Sequence, residues 1–521
     1  MNTTASSYDQ IPYVSHAFPQ TYPDRLATTA RIFRLSPPDV AACRVLELGC
    51  ASGGNVIPVA FNFPRSEIVG IDLSRLQVEE AKHAIHALGL HNIRIEQASI
   101  MEVDDSWGQF DYIICHGVFS WVEPEVQDRI LSIAARNLSP DGVAYISYNT
   151  YPGWHMREMV RSMMRYHAEQ FDQPQEQVNQ ARGLLTFLAS ASTGTGAYNQ
   201  LLAGEAERLG RSPDAYVFHE HLERTNLPIY FHEFIDRADR AGLQYLSEAV
   251  LNEMLTSNFP ASVAATLERI SADLLHLEQY MDFVRNRQFR QTLLCHKAQR
   301  PTRTLDPDVM SGLKMSSPAE SATPSPDLTP DVPVVFASGG RRAEVASTAT
   351  KAALTMLIER WPCAVDFEEL TDQAMQHAAR FSPAASVDEV RDDMLQNLFG
   401  CVMHGLIELH TQPPPCTNQP SAMPTSHSVS RFQADHGRFV VNAHHVMHEL
   451  DALSLEVLKL ADGKHRQQDM VDVLCEWWDT GRLQLEEGGT PVTDPRTARA
   501  LLTGRVERAV ASLTRSALFV A

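Results

Sequence analysis

One stretch of the sequence, residues 45–55, constrains the fold more than any other. It reads Val-Leu-Glu-Leu-Gly-Cys-Ala-Ser-Gly-Gly-Asn, which predicts a buried strand ending in an acidic residue, a glycine-rich turn and the start of a helix. Glycines in such a turn let the backbone approach a bound molecule closely and leave N–H groups free to bind it. The stretch therefore predicts an α/β domain that holds a ligand at the end of its first strand.

The composition of this turn favours S-adenosylmethionine (SAM) over a dinucleotide. A dinucleotide-binding turn usually reads Gly-x-Gly-x-x-Gly, whereas Ala51 stands here at the position of the second glycine. Glu47, at the end of the strand, is suited to accept a hydrogen bond from the ammonium group of a methionine moiety. The residues predicted to hold the methionine end are Glu47, Gly49, Cys50, Ala51, Gly53 and Asn55.

Strands and helices alternate after the turn, as in a parallel sheet wrapped by helices. Residues 67–72 predict a second strand that closes on Asp72, an acid suited to bind both ribose hydroxyls. Further strands are predicted at residues 93–97, 110–116 and 143–148. The predicted nucleoside contacts are Asp72, Leu73 and Gln77 on the ribose side and Ser99 and Ile100 at the adenine. A doubly wound domain with another ligand is the competing interpretation.

Several motifs together resemble the bacterial class I SAM-dependent methyltransferases that carry a methyltransferase regulatory domain. The motifs are Glu47-x-Gly49, Asp72, Leu-Ser-Pro-Asp-Gly at 138–142, and the segments 7–13, 148–154 and 226–234. The family includes rickettsial-type enzymes that methylate lysines of outer-membrane proteins. The resemblance implies a doubly wound, mostly parallel seven-stranded sheet, SAM as cofactor with S-adenosylhomocysteine as product, and a protein lysine as acceptor, with an outer-membrane protein as one candidate partner.

The strand–helix alternation stops after residue 150 and resumes after residue 226. We therefore predict a SAM-binding core at 1–150 and 227–298, with a helical insertion at 151–226 that caps the substrate or forms a dimer. Methionines from Met156 to Met164 recur at three- and four-residue spacing, which is typical of a core seam or a homodimer face.

Two proline-rich stretches, 299–340 and 413–430, predict linkers in the remainder of the chain. A winged-helix-like domain is predicted between them at 341–412, and a mainly helical domain after them at 431–521. Winged helices often bind DNA, but the net charge of −20 favours contact with protein over nucleic acid, because nucleic-acid binders usually present a basic face.

Aromatic residues follow the predicted fifth strand, at the edge of the sheet where ligands of this fold bind. Aromatic rings pack against the aliphatic stem of a lysine and tolerate a partly cationic nitrogen. The residues predicted to form the acceptor pocket are Tyr148, Asn149, Tyr151 and Trp154. A packed turn that anchors the insertion is the alternative.

Two further pairs are candidates for the site. His116 and Gly117 follow the fourth strand, where Gly117 allows close approach to the cofactor and His116 faces the acceptor or caps the core. Tyr8 and Tyr13 precede the first strand, where related enzymes fold a segment over the cofactor, so they are predicted to form a lid.

The rest of the sequence limits the compartment and the chemistry. No stretch approaches the ~18 consecutive apolar residues of a membrane span, and the start of the chain lacks a secretory pattern. The eight cysteines are scattered, which favours reduced thiols in a cytoplasm. His444, His445 and His448, like His219 and His221, lack the glutamate of a His-Glu-x-x-His site, so no metal is expected.

Two other function classes stay open. A methyltransferase acting on a small molecule, such as a natural product or lipid precursor, would have a deep, closed apolar pocket under residues 151–226. A regulatory module in which SAM only signals would bind the cofactor tightly and transfer no methyl group.

Overall fold

The structure is a computed structural model that describes residues 15–191, 194–381 and 386–520. Its centre is a sheet of seven strands: β1 (Arg44–Leu48), β2 (Glu67–Asp72), β3 (Ile93–Gln97), β4 (Phe110–Cys115), β5 (Leu138–Asn149), β6 (Leu243–Glu248) and β7 (Phe289–His296). Their order across the sheet is β3-β2-β1-β4-β5-β7-β6. Strands β1 to β5 run parallel, and β7 runs antiparallel to β5 and β6. The predicted doubly wound, seven-stranded fold is confirmed.

Helices cover both faces of this sheet and form the insertion. Those before the insertion are α1 (Pro23–Ile32), α2 (Val56–Asn62), α3 (Arg75–Ala87) and α4 (Pro124–Arg136). Those of the insertion are α5 (Gly153–Ala168), α6 (Pro174–Ala191), α7 (Ala197–Arg211) and the single turn α8 (Asp214–Val217). Those that return the chain to the sheet are α9 (Phe231–Arg240), α10 (Ala261–Ile270) and α11 (Leu274–Arg285).

Local chemistry sets these boundaries. Ser74 Oγ accepts a hydrogen bond from the backbone N–H of Gln77 at 3.2 Å and so caps α3. Pro124 begins α4 at a position where a missing N–H costs nothing. The methionines between Met156 and Met164 do not share one environment. Met164 is buried in the small core of the insertion, whereas Met156 and Met159 are exposed.

The stretch 299–340, predicted as a linker, carries strands, and this part of the prediction is wrong. Strand β8 (Lys314–Ser316) pairs with β12 (Val365–Asp366) and β13 (Glu408–His410), while β9 (Glu320–Ser321) pairs with β10 (Val334–Ser338), which pairs with β11 (Arg341–Val345). These strands are too short for an alternating pattern to appear in the sequence, and burial of Leu313 and Met315 holds the first of them in place.

The remaining elements form the C-terminal part of the chain. Its helices are α12 (Thr348–Arg360), α13 (Phe367–Ala379), α14 (Val387–Met403), α15 (Ser428–Ala434), α16 (Ala452–Leu460), α17 (Gln467–Asp479) and α18 (Pro495–Arg515). Two hairpins accompany them, β14 (Phe439–Val441) with β15 (Met447–Glu449) and β16 (Glu486–Glu487) with β17 (Thr490–Pro491).

One hydrophobic core joins the central sheet to the C-terminal part. It runs from Val45 and Ile68 in the sheet, through Leu354 and Leu398, to Val441. The C-terminal part is therefore packed against the SAM-binding core rather than held at the end of a tether. Among the described residues, no helix has the length and apolar character needed to cross a lipid bilayer.

Candidate functional site

The carboxyl ends of four parallel strands meet at one edge of the sheet. Glu47 lies near the end of β1, Asp72 ends β2, and Ser99 and His116 follow β3 and β4. The parallel registers of β1 with β2 and β4, and of β2 with β3, bring all four residues to the same edge. This edge is where ligands bind in open α/β sheets.

The glycine-rich turn requires glycine at two positions. Gly49 has a φ of +77°, and a Cβ added to it would lie 2.5 Å from Val118 Cγ2. Gly53 also has a φ of +77°, and its added Cβ would lie 2.8 Å from Ile95 Cδ1. Backbone conformation and lack of space both disfavour a side chain, so the turn presents bare main chain at these two positions.

Asp72 ties the second strand to this turn. Its Oδ2 accepts a hydrogen bond from the Ala51 N–H at 2.8 Å, and its Oδ1 accepts one from the Ser74 N–H at 2.9 Å. The carboxylate is therefore held at the mouth of the turn, half-buried. The contact of Asp72 with a ribose stays a prediction.

Glu47 offers a buried acceptor with no internal partner. Its Oε1 accepts from Asn55 Nδ2 at 2.8 Å, while Oε2 has no hydrogen-bond partner among the described residues. The side chain is 3% exposed, and burial raises the pKa of the carboxyl to about 8, opposed by the Asn55 hydrogen bond and reinforced by the charge of Asp72. An unsatisfied buried acceptor is costly unless a donor reaches it. The ammonium group of the methionine end of SAM is a donor that fits.

Asn55 is engaged at both ends of its amide. While Nδ2 donates to Glu47, Oδ1 accepts from the Phe18 N–H at 3.0 Å, from Thr21 Oγ1 at 3.0 Å and from His445 Nε2 at 2.8 Å. Asn55 was predicted from the turn alone, but nothing in the sequence pattern pointed to these three partners. The Asn55 amide therefore links the Glu47 carboxylate by hydrogen bonds to Phe18, Thr21 and His445.

A segment before β1 covers the turn. Ser15 Oγ accepts a hydrogen bond from the Gly54 N–H at 2.8 Å, and the Phe18 ring lies with its centroid 3.9 Å from that of His116. The predicted lid residues Tyr8 and Tyr13 lie outside the described residues. Sequence reasoning missed Ser15 and Phe18, whose only signal was their position just ahead of the first strand.

His116 is held as a neutral imidazole beside the turn. Its Nδ1 lies 2.9 Å from Tyr145 Oη and 3.3 Å from Ser147 Oγ, and burial lowers its pKa to about 4. Gly117 has a φ of +68° and donates its N–H to Ser147 Oγ at 2.8 Å. His116 therefore offers no positive charge near neutral pH.

The residues predicted for the adenine and the ribose side lie where β3 and β2 end. Ser99 caps a short 3-10 helix, its Oγ accepting from Met101 N–H at 3.2 Å, and Ile100 is buried behind it. Leu73 is exposed and Gln77 is buried on α3. Their contacts with a nucleoside stay predictions.

Three of the predicted acceptor residues are buried. Tyr148 Oη forms a hydrogen bond with Thr292 Oγ1 at 3.1 Å, in which either hydroxyl can be the donor. Its ring stacks on Phe234 with centroids 4.1 Å apart. Asn149 Nδ2 donates to Asn226 Oδ1 at 2.9 Å, and Trp154 packs edge-on against Trp121. Their roles toward an acceptor stay predictions, and their contacts here hold the base of the insertion on the sheet.

The fourth, Tyr151, belongs to an aromatic cluster that reaches the surface. Its ring lies 4.0 Å from that of His155 and 5.2 Å from that of Tyr230. His155 Nε2 lies 3.1 Å from Tyr230 Oη. Burial, followed by the charge of Glu158, raises the pKa of Tyr151. We call Tyr151, His155 and Tyr230 the aromatic cluster.

One group with metal-ligand chemistry occurs in the described part of the chain, formed by Glu408, His410 and His444. Hydrogen bonds engage both imidazoles, since His410 Nδ1 lies 2.9 Å from Asp24 Oδ2 and His444 Nε2 lies 2.9 Å from the Pro362 carbonyl oxygen. The group therefore serves as a hydrogen-bonded contact between parts of the chain. Of the three histidines His444, His445 and His448 considered in the sequence analysis, His444 belongs to this group.

Three family models match the chain. A methyltransferase domain matches residues 45–142, a predicted methyltransferase regulatory domain matches 213–296, and the PKMT C-terminal winged helix domain matches 422–518. The winged-helix match thus covers the end of the predicted linker 413–430 and most of the region 431–521 predicted as mainly helical, whereas the sequence pattern places a winged-helix-like unit at 341–412. Short elements interrupted by turns make the two regions look alike in sequence.

Relatives extend the similarity over the whole chain. The uncharacterized protein RP789 of Rickettsia prowazekii is 33% identical over 515 residues, covering 96% of this chain and 92% of the relative. A second, RP028 of the same organism, is 40% identical over 245 residues, which is 47% of this chain and 98% of the relative. The solved structure of PKMT2 from Rickettsia typhi in complex with AdoHcy superposes with a TM-score of 0.87 at 30% identity, covering 98% of this chain and 100% of that one.

Proposed function

The chain belongs to the family of class I SAM-dependent methyltransferases that carry a regulatory domain and a PKMT C-terminal winged helix domain, and we propose that it methylates lysine side chains of a protein. PKMT stands for protein lysine methyltransferase. The observation that carries the acceptor proposal is the aromatic cluster, which lies just beyond the end of β5 and is open to solvent on one side.

SAM supplies an electrophilic methyl group on a sulfonium. The residues that suit it here are Glu47, Gly49 and Gly53 at the methionine end, Asp72 at the ribose and Ser99 with Ile100 at the adenine. The buried Oε2 of Glu47, which has no hydrogen-bond partner among the described residues, and the two glycine positions of the turn support this assignment. No charge on the protein is needed to make the sulfonium reactive, so the task of the chain is to position the acceptor and exclude water.

A lysine must reach the methyl group as a neutral amine, although its pKa in water is about 10.4. The neutral His116 and the half-buried rings of Tyr151 and Tyr230 create a site in which a second positive charge near the sulfonium is disfavoured. The same rings pack against the aliphatic stem of lysine. We propose that the aromatic cluster binds the stem, with Tyr148, Asn149 and Trp154 supporting it from the core.

Incubation with methyl-labelled SAM and candidate polypeptides, purified outer-membrane proteins among them, tests the proposal. Labelled lysines identified by peptide mass spectrometry are the expected result. Label in a lipid or small-molecule extract, and none in any polypeptide, would overturn the lysine assignment and favour the small-molecule alternative. Tight AdoHcy binding with no transfer at all would favour the signalling alternative.

A matched pair of variants tests the aromatic cluster. Tyr151→Ala should lower kcat/KM for the polypeptide more than tenfold and leave AdoHcy affinity unchanged. Tyr166→Ala removes the same side chain from α5 where it is 80% exposed, and should leave both quantities unchanged. Equal effects of the two substitutions would contradict the placement of the acceptor.

We also propose that the protein is cytoplasmic and forms a homodimer. The cysteines are all free and mostly buried, which suits a reducing compartment. Exposed apolar side chains on the insertion, among them Met156, Met159 and Phe187, provide a face for a second copy. Cell fractionation and light scattering of the purified protein test the two statements, and a monomer at all concentrations would contradict the second.

A further inference from the structure

Two histidines of the C-terminal part dock on the two ends of α2, the helix that follows the glycine-rich turn. His445 Nε2 lies 2.8 Å from the Oδ1 of Asn55, which immediately precedes α2. His427 Nε2 lies 2.9 Å from the Oδ1 of Asn62, the last residue of α2. Both imidazoles are completely buried.

Only the first contact continues into the cofactor site. Asn55 Nδ2 donates to Glu47 Oε1 at 2.8 Å, and its Oδ1 accepts from His445 Nε2 at 2.8 Å, the shortest of the three hydrogen bonds to this oxygen. The chain His445–Asn55–Glu47 therefore links the C-terminal part to the carboxylate whose Oε2 is left without an internal partner. Asn62 makes no such link, because its Nδ2 donates to Tyr22 Oη at 3.1 Å.

We propose that His445 is a positioning residue for the cofactor, which acts through Asn55 to hold the free oxygen of Glu47 toward the methionine end of SAM. The C-terminal winged helix domain thereby completes the cofactor site, in addition to any contact it makes with a substrate. The inference rests on the proposed role of Glu47 and is independent of the identity of the acceptor.

The surroundings of His445 fit a fixed hydrogen-bond donor. Its backbone has a φ of +63°, which a non-glycine residue adopts only when neighbouring contacts hold it there. Its ring stacks on Tyr22 with centroids 5.0 Å apart. Burial, with the charge of Arg25 next, lowers the pKa of His445 to about 3, so the ring is neutral, and an Nε2–H donates to Asn55 Oδ1, which as a carbonyl oxygen can only accept.

His427 is a matched control from the same molecule. It is equally buried, its pKa is also lowered to about 3 by burial, and it also bonds an asparagine of α2. Its removal should therefore loosen the docking of the C-terminal part as much as removal of His445. A role limited to packing predicts equal effects of the two histidines on the cofactor.

The experiment measures AdoHcy affinity by calorimetry and thermal unfolding on the full chain, with the SAM KM and kcat beside them. His445→Phe keeps a ring but loses the donor, and should weaken AdoHcy binding about tenfold, the equivalent of one hydrogen bond. KM for SAM should rise by a similar factor with kcat nearly unchanged. His445→Gln, whose amide restores a donor near the position of Nε2, should recover most of the affinity.

Further variants close the test. His427→Phe should lower the melting temperature as much as His445→Phe and leave AdoHcy affinity within about threefold of wild type. His445→Asn is too short to reach Asn55, but asparagine tolerates a positive φ, so this variant removes the donor where the phenylalanine fails to fold. Glu47→Gln should weaken AdoHcy binding.

The outcomes separate the two proposals. If Glu47→Gln leaves AdoHcy affinity unchanged, the proposed role of Glu47 is wrong. If Glu47→Gln weakens binding while His445→Phe and His445→Asn do not, or if the His427 and His445 variants weaken it equally, the role of His445 is overturned and that of Glu47 stands.

Discussion

His410 Nδ1 lies 2.9 Å from Asp24 Oδ2, although 386 residues separate them. Asp24 Oδ1 also accepts from the N–H groups of Thr411 and Gln412, at 2.8 and 2.9 Å. This buried carboxylate fastens α1 to the end of β13. Because α1 directly follows the segment that covers the glycine-rich turn, the same contact ties the C-terminal part to the cover of the site.

Asp24→Ala should destabilise the protein by about 3 kcal/mol, because it leaves buried backbone and imidazole donors without an acceptor. Chemical denaturation measures the loss. Asp239→Ala removes an exposed carboxylate paired with Lys297 at 2.8 Å and should cost less than about 1 kcal/mol. Losses of equal size would contradict the role given to Asp24.

Gly49→Ala should abolish measurable AdoHcy binding and destabilise the fold by more than ~1–2 kcal/mol, since it combines a left-handed backbone with a contact on Val118. Gly89→Ala provides the comparison. Gly89 has a φ of +64° with open space around its Cβ position, so only the backbone cost should appear there and cofactor binding should persist. Calorimetry and thermal unfolding of both variants check the difference.

Glu47 should make cofactor binding depend on pH. Its pKa in the unliganded protein is raised to about 8, and the ligand ammonium favours the ionised carboxylate, so binding releases a proton below that pH. AdoHcy affinity should therefore rise with pH, by up to about tenfold per unit, and level off near the raised pKa. Glu47→Gln should flatten this profile, and an unchanged slope in that variant would assign the proton to another group.

The raised pKa of Glu47 makes cofactor affinity rise with pH, but it makes the stability of the unliganded protein fall with pH. A raised pKa favours the protonated carboxyl in the folded state, so this contribution is complete below the ordinary value of 4.5 and is lost as the pH rises through about 8. The free energy of unfolding of the unliganded protein, measured across this pH range, should therefore fall as the pH rises, and Glu47→Gln should remove this fall. Excess AdoHcy should also reduce the loss.

Arg290 holds a buried ionic cluster under the last strand. It donates to Glu248, Asp282 and Glu278 at 2.8, 2.8 and 3.0 Å, and all four side chains are fully buried. Arg290→Met should cost about 3–5 kcal/mol, because buried Glu278 loses its cationic partner, while Glu248 and Asp282 keep only Arg287. Arg94→Met, which removes exposed pairs with Glu67 and Glu96, should cost less than about 1 kcal/mol. A small effect at Arg290 would mean that water or protonation replaces the arginine.

Local patterns encoded much of the sheet and its binding edge. The strand before the turn, the strand that closes on Asp72 and the strands predicted at 93–97 and 110–116 all agree with the structure, because strand periodicity and glycine position act over a few residues. The SAM cofactor followed from the same turn and from family resemblance. The burial of Tyr148 and Trp154 did not follow, since it depends on which residues of the insertion fold back over them.

The amino-acid sequence by itself determined the class of fold and the kind of molecule that the glycine-rich turn receives, because these depend on neighbouring residues and on the conformations that glycine permits. Only the tertiary structure decided that His445 forms a hydrogen bond with Asn55 and that Asn55 in turn donates to Glu47. The same holds for the way in which the C-terminal part packs on the sheet. These contacts join residues as much as 390 positions apart, and no local pattern specifies them, because they arise from the burial of side chains against surfaces formed elsewhere in the chain.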